Sequence, residues 1–164
     1  MNNSSTWQRT FVMIKPDGVR RALVGRILTR FEEAGLTLKA MTMTQATPQQ
    51  ASAHYAEHEG KSFHPPLVQL LTSGPVVLLA LEGAHAIEVV RKIVGATEPR
   101  EAAPGSIRGD FCHMGYARSK ERLGVIPNLI HASDSEESAK RELSLWFKDV
   151  DNLPEYQRVD MDYL

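Results

Sequence analysis

Val76-Val77-Leu78-Leu79-Ala80-Leu81 is the most apolar run in the chain. Six apolar residues with no polar alternation predict a strand covered on both faces, at the centre of a sheet, and the remaining elements have to be arranged around it. Thr10 to Ile14 is a second run of strand formers. It stops at Lys15-Pro16-Asp17-Gly18, a turn signal, so Lys15 stands at a strand end. Leu36 to Thr44 alternates imperfectly but well enough for a third strand, and Asn128 to Ala132 reads as a short fourth.

Helical spacing connects these strands. Leu23, Ile27, Leu28 and Phe31 predict a helix over Arg20 to Ala34, with Gly35 as its stop. Thr47-Pro48 supplies an N-cap and a first-turn proline for a helix through Tyr55, and Pro65-Pro66 opens another helical turn that ends at Ser73-Gly74-Pro75. Ile87, Val90 and Val94 form one stripe of a helix over Ala84 to Val94. Gly95 to Gly109 lacks a period and reads as a long functional loop. Ser133-Asp134-Ser135-Glu136 reads as a capping box for a last helix to Phe147, with an extended tail after Asp149. This order fits an α+β fold: a ferredoxin-like β-α-β-β-α-β sandwich, an antiparallel four-stranded sheet covered by helices.

The 164 residues, 42% hydrophobic and 24% charged, are enough for one domain with its own core. Lys+Arg 19 against Asp+Glu 20 leaves a net charge of −1, which argues against a broadly basic nucleic-acid surface or an anionic-membrane surface. Cys112 is the single cysteine, and no stretch approaches a membrane span. Met1 to Gln8 is polar, read as a flexible tail without a secretory signal, so a cytoplasmic protein is expected. The glycosylation patterns Asn2-Asn3-Ser4 and Asn3-Ser4-Ser5 are then accidental.

One polar pair stands out. Ala139, Leu143, Trp146 and Phe147 form the apolar stripe of the last helix, and Glu142 sits at its border, where a carboxylate needs a hydrogen-bond partner. The strand carrying His131 leads straight into that helix. A carboxylate that accepts from one ring nitrogen leaves the other with a directed lone pair, suited to a nucleophile or a metal ligand. These two residues alone read more simply as a satisfied half-buried histidine. Their company adds phosphate-suited groups at loop and element ends: Lys15, Arg91, Thr97, Arg108 and Asn128. Two other motifs are weaker. Gly60-Lys61-Ser62 lacks the earlier glycine and the strand of a phosphate-binding loop. His54-Tyr55-Ala56-Glu57-His58 matches a zinc-hydrolase pattern but has no third ligand in view, and an exposed helix end is expected there.

Asn128-Leu129-Ile130-His131-Ala132-Ser133-Asp134 resembles the active-site signature N-x-x-H-[GA]-S-D of nucleoside diphosphate kinases. Phe11 to Gly18, Tyr55 to Pro66, Ser73 to Val77, Pro104 to Phe111 and Glu142 to Phe147 resemble further family segments, in family order. The resemblance implies transfer of a γ-phosphoryl group between a nucleoside triphosphate and a nucleoside diphosphate, by a ping-pong route through a phosphohistidine. It implies His131 as nucleophile, Glu142 orienting it, and Ser133 beside it. Lys15, Tyr55, Arg91, Thr97, Arg108 and Asn128 match positions that hold phosphates and ribose, Phe63 the aromatic that stacks on the base, and Leu67 its apolar neighbour. Mg²⁺ would be carried by the nucleotide phosphates rather than by a protein cage, and a homo-oligomer, hexamer or tetramer, is implied. The alternatives are a catalytically silent nucleotide-binding relative and the zinc hydrolase built on His54, Glu57 and His58.

Three features depart from the family pattern. His113 to Pro127 is an insertion, with Pro127 where an arginine is usual; its Arg118, Lys120 and Arg122 are expected to solvate a loop. His64 replaces a second aromatic. Residues 148–164 extend beyond the last helix. Asp134 is expected to start that helix rather than touch substrate.

Overall fold

The computed structural model describes residues 6–156 and 158–160 and, for Lys120, the backbone only. The glycosylation patterns and the first five residues of the expected tail lie outside the described residues, as does the Lys120 side chain. Four strands, β1 (Trp7–Ile14), β2 (Thr37–Gln45), β3 (Pro75–Ala84) and β4 (Ile130–Ala132), form one sheet in the order β2-β3-β1-β4. Every neighbouring pair is antiparallel. This is the ferredoxin-like arrangement.

The apolar run lies in β3, bonded to β2 on one side and β1 on the other, and Val76 to Leu81 are all buried. Helices cover both faces, which explains why the run does not alternate. Val12, Ile14, Val77, Leu79 and Leu81 face a core completed by helix α2 (Val24–Glu33) through Ile27 and Phe31 and by α5 (Ala86–Val94) through Val90 and Val94. Phe11, Met13, Val76, Leu78 and Ala80 face a second core. It is completed by α3 (Pro48–His54), α4 (His64–Thr72) and α8 (Glu136–Trp146), through Ala51, Leu71, Leu143 and Trp146.

Several boundaries differ from those expected. Trp7 and Gln8 are not tail residues: they pair with Ala84 and Gly83 and lengthen β1. The Lys15 to Gly18 turn is the start of a helical turn, α1 (Pro16–Arg20), with Pro16 at its first position. The helix expected from Arg20 starts only at Val24, because Ala22 takes a positive φ of 56° and separates α1 from α2. The long loop contains a 3₁₀ turn at Pro99–Glu101 and the start of a short helix, α6 (Ile107–Phe111), capped by the Ser106 hydroxyl. The capping box of α8 is Ser135 with Ser138, two residues later than expected, since Ser133 is held in the sheet by Phe11 O. The insertion folds as a helix, α7 (Tyr116–Leu123).

The C-terminal extension is anchored to the sheet edge rather than free. Tyr156 Oη donates to Leu38 O at 2.8 Å, Arg158 Nη1 to Glu32 O and Leu36 O at 3.0 Å each, and Lys39 Nζ lies 3.4 Å from Glu155. It guards the bulged start of edge strand β2, between Leu38 and Ala40.

One close approach fixes the floor of the site. The Lys15 N–H donates to Leu129 O at 2.8 Å, and the Leu129 N–H to Asp17 Oδ2 at 2.9 Å, so α1 is stapled to the entry of β4. A Cβ at Gly18 would lie 2.8 Å from Ile14 Cγ2 and 2.9 Å from Leu129 O. Gly18→Ala is therefore expected to lower stability by about 1–3 kcal/mol in urea unfolding, because the Leu129 carbonyl and the fully buried Ile14 side chain both oppose the added methyl.

Candidate active site

β4 is short because its role is placement. His131, at the centre of edge strand β4, pairs with Met13 of β1, and its ring faces α8, where Glu142 lies one turn below the buried Trp146. His131 Nε2 and Glu142 Oε2 are 2.8 Å apart, and the Ser133 hydroxyl donates to the same oxygen at 2.6 Å. Glu142 is 3% exposed, so these two donors stabilise a carboxylate that burial alone pushes toward its neutral form. With Nε2–H donating, Nδ1 of His131 carries the lone pair.

The charge around that ring keeps it neutral. Burial, then Lys15 and Arg108, lower the His131 pKa to about 3. Lys15 Nζ donates to Asn128 Oδ1 at 2.9 Å, and burial beside Arg108 brings its pKa down to about 8. Arg108 is almost fully buried and bonds three carbonyls: Nε to Asn128 O at 3.1 Å, Nη1 to Gly95 O at 2.9 Å and Nη2 to Ile130 O at 2.6 Å. Three of its five N–H donors are committed, two remain, and burial lowers its pKa to about 10. Asn128 Nδ2 reaches Thr97 O at 2.9 Å, so the loop, β4 and β1 converge on one point. Leu129 holds φ at +68° there, an uncommon conformation for a leucine that the two α1 hydrogen bonds stabilise.

The charged and polar groups other than Ser133 border one cavity of about 850 Å³, the size of a pocket for a nucleotide-sized molecule. Lys15, Arg91, Thr97, Arg108, Asn128, His131 and Glu142 line its inner part. Tyr55, Phe63 and Leu67 also line it, with Phe63 40% exposed at the head of α4 and Leu67 one turn further on. Every sequence-predicted site residue thus borders the cavity, except Ser133, which acts on Glu142 from behind.

Three contributions were not legible in the sequence. The insertion lines the cavity through Tyr116 and Ser119, with Val125 and Ile126 following, while Arg118 and Arg122 are exposed away from it. A Cβ at Gly124 would meet Pro66 Cγ at 3.2 Å, so the insertion closes against α4. Asp17 anchors Leu129. His54, expected on an exposed helix end, is 3% exposed: α3 ends there with the ring turned into the core, where Trp146 Nε1 donates to its Nδ1 at 3.3 Å. Glu57 and His58 sit on a separate 3₁₀ turn, 3.8 Å apart, so the zinc-hydrolase triad does not assemble. Only the nearby Trp146, itself on the apolar stripe, offered a signal for His54. Asp134 borders the cavity but accepts from the Ser138 hydroxyl at 2.7 Å at the start of α8.

A neutral imidazole with one nitrogen held by a carboxylate and the other free, at the bottom of a nucleotide-sized, cation-lined cleft, defines a phosphotransferase that works by covalent catalysis. The sequence pattern of the nucleoside diphosphate kinases ("Nucleoside diphosphate kinase") matches residues 8–151. The nucleoside diphosphate kinase of Archaeoglobus fulgidus is 50% identical over 96% of this chain and 97% of its own, and that of Pyrococcus horikoshii 49% identical over 94% of each. Among solved structures, a transition-state mimic of the Borrelia burgdorferi enzyme with bound vanadate and ADP superposes with a TM-score of 0.90 at 40% identity, covering 96% of each chain. The Halobacterium salinarum enzyme in complex with CDP superposes at 0.83 and 43% identity, covering 95% of this chain and 97% of that one. The chain belongs to the nucleoside diphosphate kinase family. It is an enzyme that passes a γ-phosphoryl group from a nucleoside triphosphate to a nucleoside diphosphate in two steps, through a phosphohistidine.

The electrostatics set a pH dependence. His131 and His54 both have pKa values lowered from the ordinary 6.5 by burial. The unfolded chain takes up protons at these positions near pH 6.5 and the folded chain does not, so stability is lost as pH falls below that value. The ¹⁵N resonances of His131 are expected to stay those of a neutral imidazole from about pH 8 to about pH 5 while the unfolding free energy declines; a His131 titration near 6.5 would contradict this.

Proposed function

We propose that His131 Nδ1 is the atom that carries the phosphoryl group. The supporting observation is the His131–Glu142 hydrogen bond of 2.8 Å, which directs the other ring nitrogen into the cation-lined cavity. In the first step the Nδ1 lone pair forms a bond to the γ-phosphorus, and the bond to the β,γ-bridging oxygen breaks, releasing the diphosphate. In the second a terminal β-phosphate oxygen of another diphosphate attacks the same phosphorus, and the N–P bond breaks. As the ring becomes cationic, the Glu142 carboxylate stabilises its Nε2–H, and Ser133 keeps the carboxylate in place.

Lys15, Arg91 and Arg108 compensate the phosphate charge, while Thr97, Asn128 and Tyr55 complete the polar contacts to phosphates and ribose. Phe63 stacks on the base with Leu67 beside it, and a stacking face accepts every base. Mg²⁺ suits this site as a passenger. Of the cavity carboxylates, Glu142 and Asp134 are engaged by Ser133 and Ser138, and Glu57 stands at the rim 3.8 Å from His58, so no cluster of free carboxylates forms a cage and phosphate oxygens are left to hold it. When bound, the ion would supply positive charge that offsets the charge of the phosphates, beside that of Lys15, Arg91 and Arg108. Nucleoside di- and triphosphates are therefore the small-molecule partners, and a nucleotide-rich cytoplasm is the proposed setting. Among the described residues no helix is long and apolar enough to cross a membrane.

A homo-oligomer, hexamer or tetramer, is supported by the open edge of β2, where Met41 is 53% and Met43 61% exposed beyond the stretch guarded by the C-terminal extension. Light scattering is expected to give four or six times the 18.3 kDa chain mass; a monomer would refute the association.

Mixing the protein with γ-³²P-ATP is expected to give an acid-labile phosphoprotein that any nucleoside diphosphate discharges. His131→Ala should abolish labelling, and label on another residue would overturn the assignment. Glu142→Ala is expected to lower turnover by about tenfold to a hundredfold while the protein stays folded, as loss of an orienting partner does.

A further inference from the structure

One buried titratable group that the reaction does not use is His54. One of its ring nitrogens, one of His131 and an oxygen of Glu142 lie within 4.8 Å of one another, in outline a two-histidine, one-carboxylate metal set. The hydrogen bonding argues against a metal. The Trp146 indole N–H can only donate, so its 3.3 Å contact occupies the Nδ1 lone pair of His54 and leaves the proton on Nε2. Neither nitrogen then offers a lone pair, and Nε2 is buried with no hydrogen-bond partner among the described residues.

What His54 does have is a ring contact. Its imidazole meets that of His131 edge to face, with centroids 4.4 Å apart and planes at 80°. Behind it stand Phe11 at 6.0 Å and Trp146 at 5.9 Å, both buried, so the ring cannot retreat. The Glu142 hydrogen bond holds one atom of the His131 ring, and a single hydrogen bond leaves the ring free to pivot about it. A wall against the ring removes that pivot.

We propose that His54 is a positioning residue for phosphoryl transfer: fixed by Trp146, its ring packs against His131 and holds the nucleophilic imidazole in the one orientation that aims Nδ1 at the phosphate site. Burial and the neighbouring His131 lower the pKa of His54 well below 6.5, so the wall adds no positive charge beside the nucleophile. The inference rests on His131 being the nucleophile, and its test separates the two claims.

His54 has two contacts that different substitutions divide. His54→Asn keeps an acceptor close to the position of Nδ1 for Trp146 but removes the part of the ring that meets His131. His54→Phe keeps the wall and gives up the acceptor. The Asn variant is expected to lose about tenfold to a hundredfold in kcat with KM within about threefold of the parent, as misaimed reacting groups do. Its His131 ring resonances should broaden or split, as those of a ring free to pivot about its Glu142 hydrogen bond do, while the tautomer stays that set by Glu142. The Phe variant is expected to be less stable yet to keep kcat within about threefold and the parent His131 spectrum. An Asn variant with parent kcat, or with lowered kcat and an unchanged His131 spectrum, would overturn the proposal. Should the Asn variant not fold, the Phe variant decides: a loss of about a hundredfold there overturns it equally. If the parent forms no phosphoprotein at His131, the nucleophile assignment fails, while the nitrogen spectra still report whether His54 orients the ring.

Discussion

The site depends on one buried carboxylate. Glu142 lies on α8 where an apolar residue would pack more cheaply, and it is retained because two donors from the β4 end, His131 and Ser133, converge on a single oxygen. Remove either donor and the other is left beside an undercompensated charge, which costs more than an ordinary surface hydrogen bond. The same two bonds tie α8 to the sheet, since Ser133 also pairs with Phe11 of β1. Fold and chemistry therefore share a fastening: the interaction that orients the histidine also docks the last helix.

Much of this was legible because it follows from local rules. Val76 to Leu81 could be assigned to a central strand since only a doubly covered strand lacks alternation, and Glu142 could be paired with His131 since a carboxylate at a stripe border needs a donor. Lys15, Arg91, Thr97, Arg108 and Asn128 stood out as phosphate-suited groups, Tyr55, Phe63, Leu67 and Ser133 came from the family resemblance, and the cavity is bordered by all of these but Ser133. What the sequence hid depended on contacts between distant segments. Trp7 and Gln8 join the sheet because β3 runs on to Ala84 and offers them partners. The last helix starts two residues later than its apparent capping box because Ser133 is claimed by Phe11 and Glu142 and cannot also cap. His54 carries no helical signature of burial: its place in the core is dictated by Trp146, 92 residues away.

The insertion illustrates how a polar, unremarked segment becomes part of a binding cleft. Its charged residues give no clue, since Arg118 pairs with Glu121 at the surface. Its smaller groups do the enclosing. Tyr116 N–H is tied to Glu98 Oε1 at 3.0 Å and Met114 O accepts from Arg100 N–H at 3.2 Å, while Gly124 approaches Pro66 on α4. A segment fastened to the loop at one end and to a helix at the other spans the cavity's edge, whatever its composition.

Arg108 carries a different lesson. Its guanidinium is bonded to the carbonyls of Gly95, Asn128 and Ile130, so its direction is set by the main chain of two separate segments, the end of α5 and the entry of β4. A surface arginine meets an anion by giving up side-chain freedom and bound water at the moment of contact. Here that reorganisation is completed during folding, so the guanidinium keeps one direction at the cleft and its own contribution to the field there is set before any ligand arrives. An enzyme that moves a phosphoryl group onto and off a residue in each cycle has the same oriented charge at hand in both halves of it.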